Sequence, residues 1–170
     1  FAEVTLLTEA RISAIKAMKY ARLSLIIGAG TVLKGDDAKA CRDVGADFLV
    51  SPGMTPGLRK ALGDDVCIMV PGVGTMSEAM ARNEEGFELL KLFPAAVVGG
   101  VGALKSFHGP LPHLKFMPTG GVNLANVAEY CALPSVFAVG GTWVASLADV
   151  EAHNWSGITD ACREALRAIG

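Results

Sequence analysis

A short pattern recurs along this chain: an apolar run, then a corner rich in glycine or proline, and then a segment with helical features. The corners are centred on Gly28, Pro52, Pro71, Pro94, Pro118 and Gly140. Consecutive corners are 19 to 24 residues apart, which is about the length of one strand plus one crossover helix. Several apolar runs are continuous rather than alternating, as expected when both faces of a sheet are covered. The pattern therefore predicts a parallel α/β fold.

Seven strands are predicted, at residues 3–6, 25–28, 48–50, 67–70, 89–93, 114–117 and 136–139. The helices between them have boundary signals of their own. Thr55 is followed directly by a proline, which is typical of an N-cap and the first helical position. Thr75 and Glu78 have the spacing of a capping box, and two further helices are expected to end at Gly45 and Gly63.

Repeated βα units with a loop after every strand are typical of a (β/α)8 TIM barrel, whose active site lies at the carboxyl ends of the strands. We predict that residues 1–170 form a single domain of this kind. Seven strands leave the barrel one short, and the chain opens directly in a strand at Phe1. The first N-terminal βα unit of the barrel is therefore expected to be missing from this sequence. A doubly wound open sheet is the alternative architecture.

Composition narrows the possible partners. The chain has 51% hydrophobic and 19% charged residues, enough apolar material for the core of one globular domain. Its net charge of −2 is spread without a basic stripe, which argues against nucleic acid as a partner. The longest weakly polar stretch, residues 92–104, is shorter than the roughly 18 to 20 residues of a membrane span. The four cysteines form no C-x-x-C pair and are expected to be free thiols in a reducing cytoplasm.

Lys91 lies inside an apolar, strand-like run that ends at Pro94. Burying a lysine ammonium costs several kcal/mol unless the group is paired or becomes neutral. A neutral amine can attack a ketone and form a Schiff base, so Lys91 is a candidate nucleophile.

Glu3 is the candidate partner of this lysine. Residues two apart in a strand share a face, so Glu3, Thr5 and Leu7 lie on one face of their strand, as Lys91 and Phe93 do on theirs. If both faces look into the barrel, a carboxylate and an amine meet near its rim. Schiff-base chemistry needs such a proton-transfer group beside the amine. A purely structural ion pair between the two residues is the other open interpretation.

A second lysine competes for the same role. Lys115 stands three residues before Pro118, as Lys91 stands three residues before Pro94, so periodicity does not choose between them. The apolar neighbours of Lys91 favour it weakly, because His113 places Lys115 nearer to a polar loop.

Two glycine pairs, in Pro118-Thr-Gly-Gly and Gly140-Gly-Thr-Trp, follow the last two predicted strands. Loops at this place in a barrel often bind a phosphate through backbone N–H groups, so both corners are candidate phosphate sites. Gly28-Ala-Gly30 does not fit a dinucleotide fingerprint, because Leu33 occupies the third glycine position. The three histidines at positions 108, 113 and 153 lack metal-site spacing, so neither a cofactor nor a metal is expected.

Six short motifs occur in one order along the chain: Glu3-Val-Thr-Leu, Gly28-Ala-Gly-Thr, Ser51-Pro-Gly, Lys91-Leu-Phe-Pro-Ala, Pro118-Thr-Gly-Gly and Gly140-Gly-Thr-Trp. In this order and spacing the chain resembles, over essentially all of its length, the bacterial 2-keto-3-deoxy-6-phosphogluconate (KDPG) and 4-hydroxy-2-oxoglutarate (KHG) aldolases. The resemblance implies a (β/α)8 barrel and, by the usual assembly of that family, a homotrimer. It also implies a class I, metal-independent lyase that cleaves KDPG to pyruvate and glyceraldehyde 3-phosphate in sugar-acid catabolism.

The resemblance implies a role for individual residues. Lys91 corresponds to the Schiff-base lysine that attacks the C2 ketone, and Glu3 to the glutamate that moves protons. Thr31 corresponds to a threonine that contacts the substrate carboxylate. The implied phosphate-binding residues are Gly120, Gly121, Gly141 and Thr142. Lys115 falls at a position with no catalytic role in the family.

Two positions depart from the family pattern. Leu7 stands where relatives usually have an arginine that helps to hold the substrate carboxylate, and Ala96 stands where they often have glutamate. Three alternatives therefore stay open: an aldolase for KHG, an aldolase for 2-keto-3-deoxy-6-phosphogalactonate, and a catalytically silent paralogue that binds a phosphorylated metabolite.

Overall fold

The computed structural model describes residues 1–8, 10–21 and 24–170, apart from the side chain of Cys67. The chain forms two compact units, Phe1–Lys91 and Leu92–Gly170. The strands are β1 (Ala2–Thr5), β2 (Ile27–Gly30), β3 (Phe48–Val50), β4 (Met69–Val70), β5 (Gly72–Val73), β6 (Leu89–Leu92) and β7 (Lys115–Pro118). The helices are α1 (Arg11–Tyr20), α2 (Gly35–Asp43), α3 (Pro56–Leu62), α4 (Met76–Glu84), α5 (Gly100–His108), α6 (Val127–Cys131), α7 (Leu147–Glu151) and α8 (Trp155–Ile169).

In the first unit, β1 to β4 form a parallel sheet in chain order. The register pairs Glu3 with Gly28 and Gly28 with Phe48, so these three residues lie on one face of the sheet. All four residues of β2 are buried. The backbone N–H of Lys91, on β6, donates to the carbonyl of Pro71 at 2.9 Å, next to β5. Glu3 and Lys91 both belong to this unit.

The predicted helix boundaries in this unit are confirmed. The Thr55 side chain caps the first turn of α3, with proline at the first helical position. Thr75 and Glu78 form a reciprocal capping box at the start of α4. Gly45 and Gly63 have φ values of +87° and +59°, which glycine adopts readily after the end of a helix.

The second unit is built around β7 and α5. The backbone N–H of Thr119 donates to the carbonyl of Leu92 at 3.0 Å, which joins the end of β6 to the end of β7. Beneath this pairing, the rings of Phe107 and Phe116 pack with their centroids 5.7 Å apart. Both rings are buried.

The strand predicted at residues 136–139 is wrong. Val136 and Gly140 each form an isolated parallel bridge, to Phe116 and Thr119, without a ladder between them. The segment has the apolar composition of a strand. A strand also requires consecutive pairing with a neighbour, and composition alone does not reveal whether the neighbour is in register.

The strand predicted at residues 67–70 is shorter than expected. Its first part is a 3₁₀ turn over Val66–Ile68, and only Met69–Val70 pairs with β3. A short strand that the sequence did not predict, β5, follows after Pro71. Proline has no N–H to donate to a neighbouring strand, which is consistent with the break between β4 and β5.

The predicted α/β class with parallel strands is confirmed by this topology. Closure of the strands into a barrel and the single-domain organisation remain predictions. Within the described residues, none of the helices has the length and apolar character needed to cross a membrane.

Candidate active site

Lys91 is a buried lysine on a strand that is otherwise apolar. Its side chain is 6% exposed, and its neighbours Leu90 and Leu92 are completely buried. Among the residues whose burial is described, Lys91 is the only charged residue in the buried class. The leucines hold β6 in the core because they remove apolar surface from water, and the lysine is carried into the core with them.

Glu3 lies on β1, and its carboxylate packs over Gly30 of β2. A Cβ atom built on Gly30 would overlap Oε1 of Glu3, so the carboxylate occupies the space that a side chain at position 30 would fill. The register partner of Glu3 is Gly28, so the carboxylate reaches two residues further toward the carboxyl ends of the strands. Glu3 as a whole residue is exposed, but its carboxylate lies against the sheet and loses part of its hydration there.

The two side chains influence each other electrostatically. Burial lowers the pKa of Lys91 below the ordinary lysine value, and the negative charge of Glu3 partly opposes this change. Burial raises the pKa of Glu3 above the ordinary carboxyl value, and the positive charge of Lys91 partly opposes that change. In both groups burial is the larger effect, so the uncharged forms are favoured relative to the same groups in water.

This arrangement provides an amine nucleophile beside a proton carrier. A lysine with a lowered pKa has a larger fraction of neutral amine, whose lone pair can attack a carbonyl carbon. A carboxyl group with a raised pKa takes up and releases protons closer to neutral pH. Opposite displacements of this kind, caused by burial and by a specific partner, are typical of functional sites.

Thr31 has a strained backbone directly after β2. Its φ is +60°, in the left-handed region that a β-branched residue rarely adopts. On either side of it, Leu6 donates its N–H to Gly30 O at 2.8 Å and Val32 donates to Val50 O at 3.0 Å. Hydrogen bonds to both neighbouring strand ends therefore hold the backbone on either side of Thr31. Such strain is concentrated at functional sites, and it was not predicted from the sequence.

Leu7 lies in the turn after β1, where its side chain is 73% exposed. A leucine supplies no charge to bind a carboxylate at this end of the strand. An exposed leucine costs little in stability, since isolated apolar side chains are common on protein surfaces.

The competing lysine, Lys115, has a different environment in the second unit. It begins β7 and is half-buried, and its Nζ donates a hydrogen bond to the carbonyl of Pro134 at 2.8 Å. An ammonium bound to a backbone carbonyl is typical of a structural lysine. The difference in burial therefore favours Lys91 as the nucleophile.

Gly120 and Gly121 form the corner after β7. Their φ values are +91° and +84°, which non-glycine residues rarely adopt. A Cβ atom on Gly121 would also overlap the Cβ of Ala96, so position 121 lacks space for a side chain. The small side chain at position 96, one of the two departures from the family pattern, lies directly beside this corner.

Gly141 and Thr142 belong to the other glycine-rich corner. A Cβ atom on Gly141 would overlap the ring of Trp143, and Thr142 is exposed. The bridge between Thr119 and Gly140 places the beginnings of the two corners side by side within the second unit. The two corners are thus neighbours, although residues 136–139 do not form the strand predicted before the second one.

Several features of the site were not predicted from the sequence. The packing of Glu3 on Gly30 is one of them. The alternating glycines of β2, Gly28 and Gly30, could have indicated that a neighbouring side chain packs over this strand. The others are buried polar atoms without a hydrogen-bond partner among the described residues, including Ser51 Oγ, Thr119 Oγ1 and Trp143 Nε1. In the part of the chain that the structure describes, no group of three or more His, Cys, Asp or Glu side chains could hold a metal ion.

Comparison with known proteins places this geometry in a family. The sequence model described as "Aldolase: KDPG and KHG aldolase" matches residues 1–161. The chain is 44% identical over 164 residues to a 2-dehydro-3-deoxy-phosphogluconate aldolase from Pseudomonas aeruginosa, covering 96% of this chain and 74% of the relative. It is 40% identical over 164 residues to a KHG/KDPG aldolase from Escherichia coli K12, covering 96% of this chain and 77% of the relative.

A solved structure agrees with these sequence matches. It is a KDPG aldolase from Legionella pneumophila with pyruvate captured at low pH as a covalent carbinolamine intermediate. It is 40% identical to this chain, with a TM-score of 0.90 over 94% of this chain and 78% of the other. The family model spans most of the chain, and the relatives are similar over nearly all of it. The chain therefore belongs to the KDPG and KHG aldolase family.

Proposed function

We propose that this protein is a class I aldolase that cleaves KDPG to pyruvate and glyceraldehyde 3-phosphate, with Lys91 as the Schiff-base lysine. The observation that carries the proposal is the buried Lys91, whose pKa is lowered by burial and which is coupled to Glu3. A carbinolamine forms when an amine adds to a carbonyl group. The covalent pyruvate carbinolamine in the Legionella pneumophila relative therefore supports amine chemistry in this family.

The first half of the reaction makes the imine. The neutral Nζ of Lys91 adds to C2 of the substrate and forms a carbinolamine. The protonated carboxyl of Glu3 then gives its proton to the C2 hydroxyl, which leaves as water while the nitrogen lone pair forms the C=N bond. The product of this half is a protonated imine with a carboxylate beside it.

The second half breaks the carbon–carbon bond. The Glu3 carboxylate takes the proton of the C4 hydroxyl, the electrons of the broken O–H bond form the C=O double bond of the aldehyde, and the C3–C4 electrons move into the protonated imine to give an enamine. Glyceraldehyde 3-phosphate leaves. Glu3 next protonates C3 of the enamine, and water hydrolyses the resulting imine, which releases pyruvate and regenerates the amine. The protonated imine is the electron sink, and one carboxyl group carries the protons in both halves.

Binding of the two anionic ends of the substrate is assigned to separate residues. Thr31 contacts the carboxylate next to the ketone. Gly120, Gly121, Gly141 and Thr142 bind the phosphate, mainly through backbone N–H groups that the absence of side chains leaves accessible. Leu7 contributes no charge, so the carboxylate is held more weakly than a guanidinium would hold it.

The architecture that belongs to this proposal is a closed (β/α)8 barrel in a cytoplasmic homotrimer. The barrel is supported by the structural similarity to the Legionella pneumophila aldolase and by the parallel β1–β4 sheet. The homotrimer is proposed from the usual assembly of the family. Barrel closure would bring the carboxyl ends of the strands into one ring, which is where such enzymes build their active sites.

KHG is the second candidate substrate. The Escherichia coli relative is named for both KHG and KDPG, and the lysine chemistry is the same for the two keto acids. KHG carries a carboxylate in place of the phosphate-bearing end of KDPG. A comparison of kcat/KM for the two substrates, in the wild type and in Thr142→Ala, separates them, because loss of a phosphate contact lowers kcat/KM for KDPG more than for KHG.

The direct test is reduction with borohydride in the presence of pyruvate, followed by peptide mass spectrometry. We expect a pyruvate-derived adduct on Lys91 that is absent from Lys91→Ala and present in Lys115→Ala, which is the matched lysine control. An adduct on Lys115 would mean that the wrong strand has been assigned. No adduct in a folded wild-type protein would contradict the proposal and favour a silent paralogue that binds a phosphorylated metabolite.

A further inference from the structure

We propose that Gly30 is a positioning residue for the reaction: its missing side chain is the space that holds the Glu3 carboxylate beside Lys91. The inference rests on the proposed function, since it assigns Glu3 the proton-transfer role. Gly30 touches no reacting atom in this scheme and acts only through Glu3.

The geometry is direct. In the parallel register of β1 and β2, Glu3 pairs with Gly28 and Thr5 pairs with Gly30, so these residues lie on one face of the sheet. A Cβ atom built on Gly30 would meet three successive atoms of Glu3, namely Oε1, Cδ and, at 2.9 Å, Cγ. The outer half of the glutamate side chain therefore lies across residue 30.

The backbone at position 30 does not itself require glycine. Its φ lies outside the left-handed region that disfavours side chains, and its neighbours in the strand pair normally. A methyl group there would meet the far end of a flexible side chain, which can rotate toward solvent. Alanine at this position is therefore compatible with the sheet but incompatible with the observed position of the carboxylate.

Gly28 offers a matched control on the same strand and the same face. A Cβ atom built there would meet the ring of Phe48. The ring of Phe48 also packs against the ring of Phe1, with the two centroids 6.3 Å apart. Alanine at position 28 therefore disturbs an aromatic contact and leaves the Glu3 carboxylate in place. Gly28→Ala therefore measures the effect of disturbed packing, whereas Gly30→Ala measures the effect of displacing the Glu3 carboxylate.

Displacing the carboxylate should change the protonation of both groups. Glu3 would regain water, so its pKa would move back toward the ordinary value. Lys91 would lose the negative neighbour that partly offsets its burial. The amine would remain able to form an imine, whereas the steps that need a positioned proton carrier would slow.

The experiment compares Gly30→Ala, Gly28→Ala, Glu3→Gln and the double variant Gly30→Ala/Glu3→Gln in KDPG cleavage across pH. A positioned acid–base group contributes about 10²–10⁴-fold. We expect Gly30→Ala to lower kcat by at least about 10-fold and to move the acidic limb of its pH profile to lower pH, while pyruvate is still trapped on Lys91. Gly28→Ala should leave the pH profile unchanged. In the Glu3→Gln background, Gly30→Ala should change kcat by no more than about 2-fold, because residues that act through one group are not additive.

The inference would be overturned if Gly30→Ala kept the kcat and the pH profile of the wild type. It would also be overturned if Gly30→Ala lowered kcat as much in the Glu3→Gln background as in the wild-type background. A Gly30→Ala protein that does not fold would overturn it too, since the glycine would then serve the sheet. Titration of Glu3, followed by ¹³C NMR of its carboxyl carbon, tests the position of the carboxylate without depending on the proposed activity. If the wild type neither cleaves KDPG nor traps pyruvate, the proposed function fails, but a return of the Glu3 titration toward its ordinary value in Gly30→Ala still supports the positioning.

Discussion

Replacing Lys91 by methionine should stabilise the protein while abolishing the Schiff base. Methionine has about the length of the buried lysine stem and needs no hydration at its end. The lysine is 6% exposed, so its ammonium has lost most of its contact with water. Function, rather than stability, would then account for a lysine at this position.

The expected gain follows from two opposing effects. Desolvation of a buried ion costs several kcal/mol even after the structure relaxes, and the attraction between Lys91 and Glu3 offsets part of that cost. Removing the lysine also leaves Glu3 without its partner. We therefore expect Lys91→Met to raise the free energy of unfolding at neutral pH by about 1–3 kcal/mol. Tm should rise by roughly 2–4 °C for each kcal/mol gained. Lys91→Met/Glu3→Gln should gain more than the single variant.

The gain should depend on pH in a defined direction. The folded pKa of Lys91 lies below its unfolded value. Between those two values the unfolded chain binds more protons than the folded one, so the stability of the wild type rises as pH rises through this window. At the ordinary lysine pKa, about 10.4, the unfolded chain has lost half of this proton, and above it the amine becomes neutral in both states. The advantage of Lys91→Met should therefore be largest at the lower end of the window and shrink toward its upper end.

Urea unfolding followed by circular dichroism, at neutral pH and near the ordinary lysine pKa, measures both effects. Lys115→Met serves as the control. It removes the hydrogen bond from Nζ to the Pro134 carbonyl and should not stabilise the protein. A Lys91→Met variant that is less stable than the wild type at neutral pH, or whose gain does not shrink with rising pH, would refute the reasoning.

Three further substitutions test other parts of the structure. Leu7→Arg adds a cation at the exposed position after β1 and should raise kcat/KM for KDPG about 10- to 100-fold, since a hydrogen bond to a charged group contributes about 1.5–3 kcal/mol. An unchanged kcat/KM would mean that another cation already holds the substrate carboxylate. Thr31→Gly removes left-handed strain of about 1–2 kcal/mol and adds a glycine cost of roughly 0.5–1 kcal/mol, so Tm should stay level or rise while KM for KDPG increases. A clear fall in Tm would contradict the assignment of strain. Thr75→Ala removes the capping box of α4 and should lower the free energy of unfolding by about 1 kcal/mol without a change in KM, which urea titration and steady-state kinetics can check.

Local sequence signals predicted a large part of the first unit. The caps at Thr55 and Thr75 were readable because a capping side chain bonds to backbone only three residues away. The ends of α2 and α3 could be predicted because a glycine in the left-handed conformation, at position 45 or 63, ends a helix without any contact to a distant part of the chain. The burial of Lys91 followed from its apolar neighbours, which determine the environment of the strand.

Pairing between strands was predicted less well. Residues 136–139 have strand composition but only one isolated bridge to β7, at Val136. The strand predicted at residues 67–70 is reduced to Met69–Val70, and β5 follows it after Pro71 without having been predicted. In both cases the result depends on whether a neighbour distant in the chain presents its hydrogen-bonding groups in register. That information is not contained in either segment alone.

The burial of Lys91 and the α/β plan could be inferred from the chain because each depends on short-range patterns: the period of apolar runs, the corners between them and one charged residue among leucines. The place of the Glu3 carboxylate over Gly30 and the strained turn at Thr31 could not. They arise where β1, β2 and β3 meet, from residues separated by 20 or more positions whose distances are set by the register of the sheet. The packing of the folded chain, rather than any local preference, determines where the Glu3 carboxylate lies.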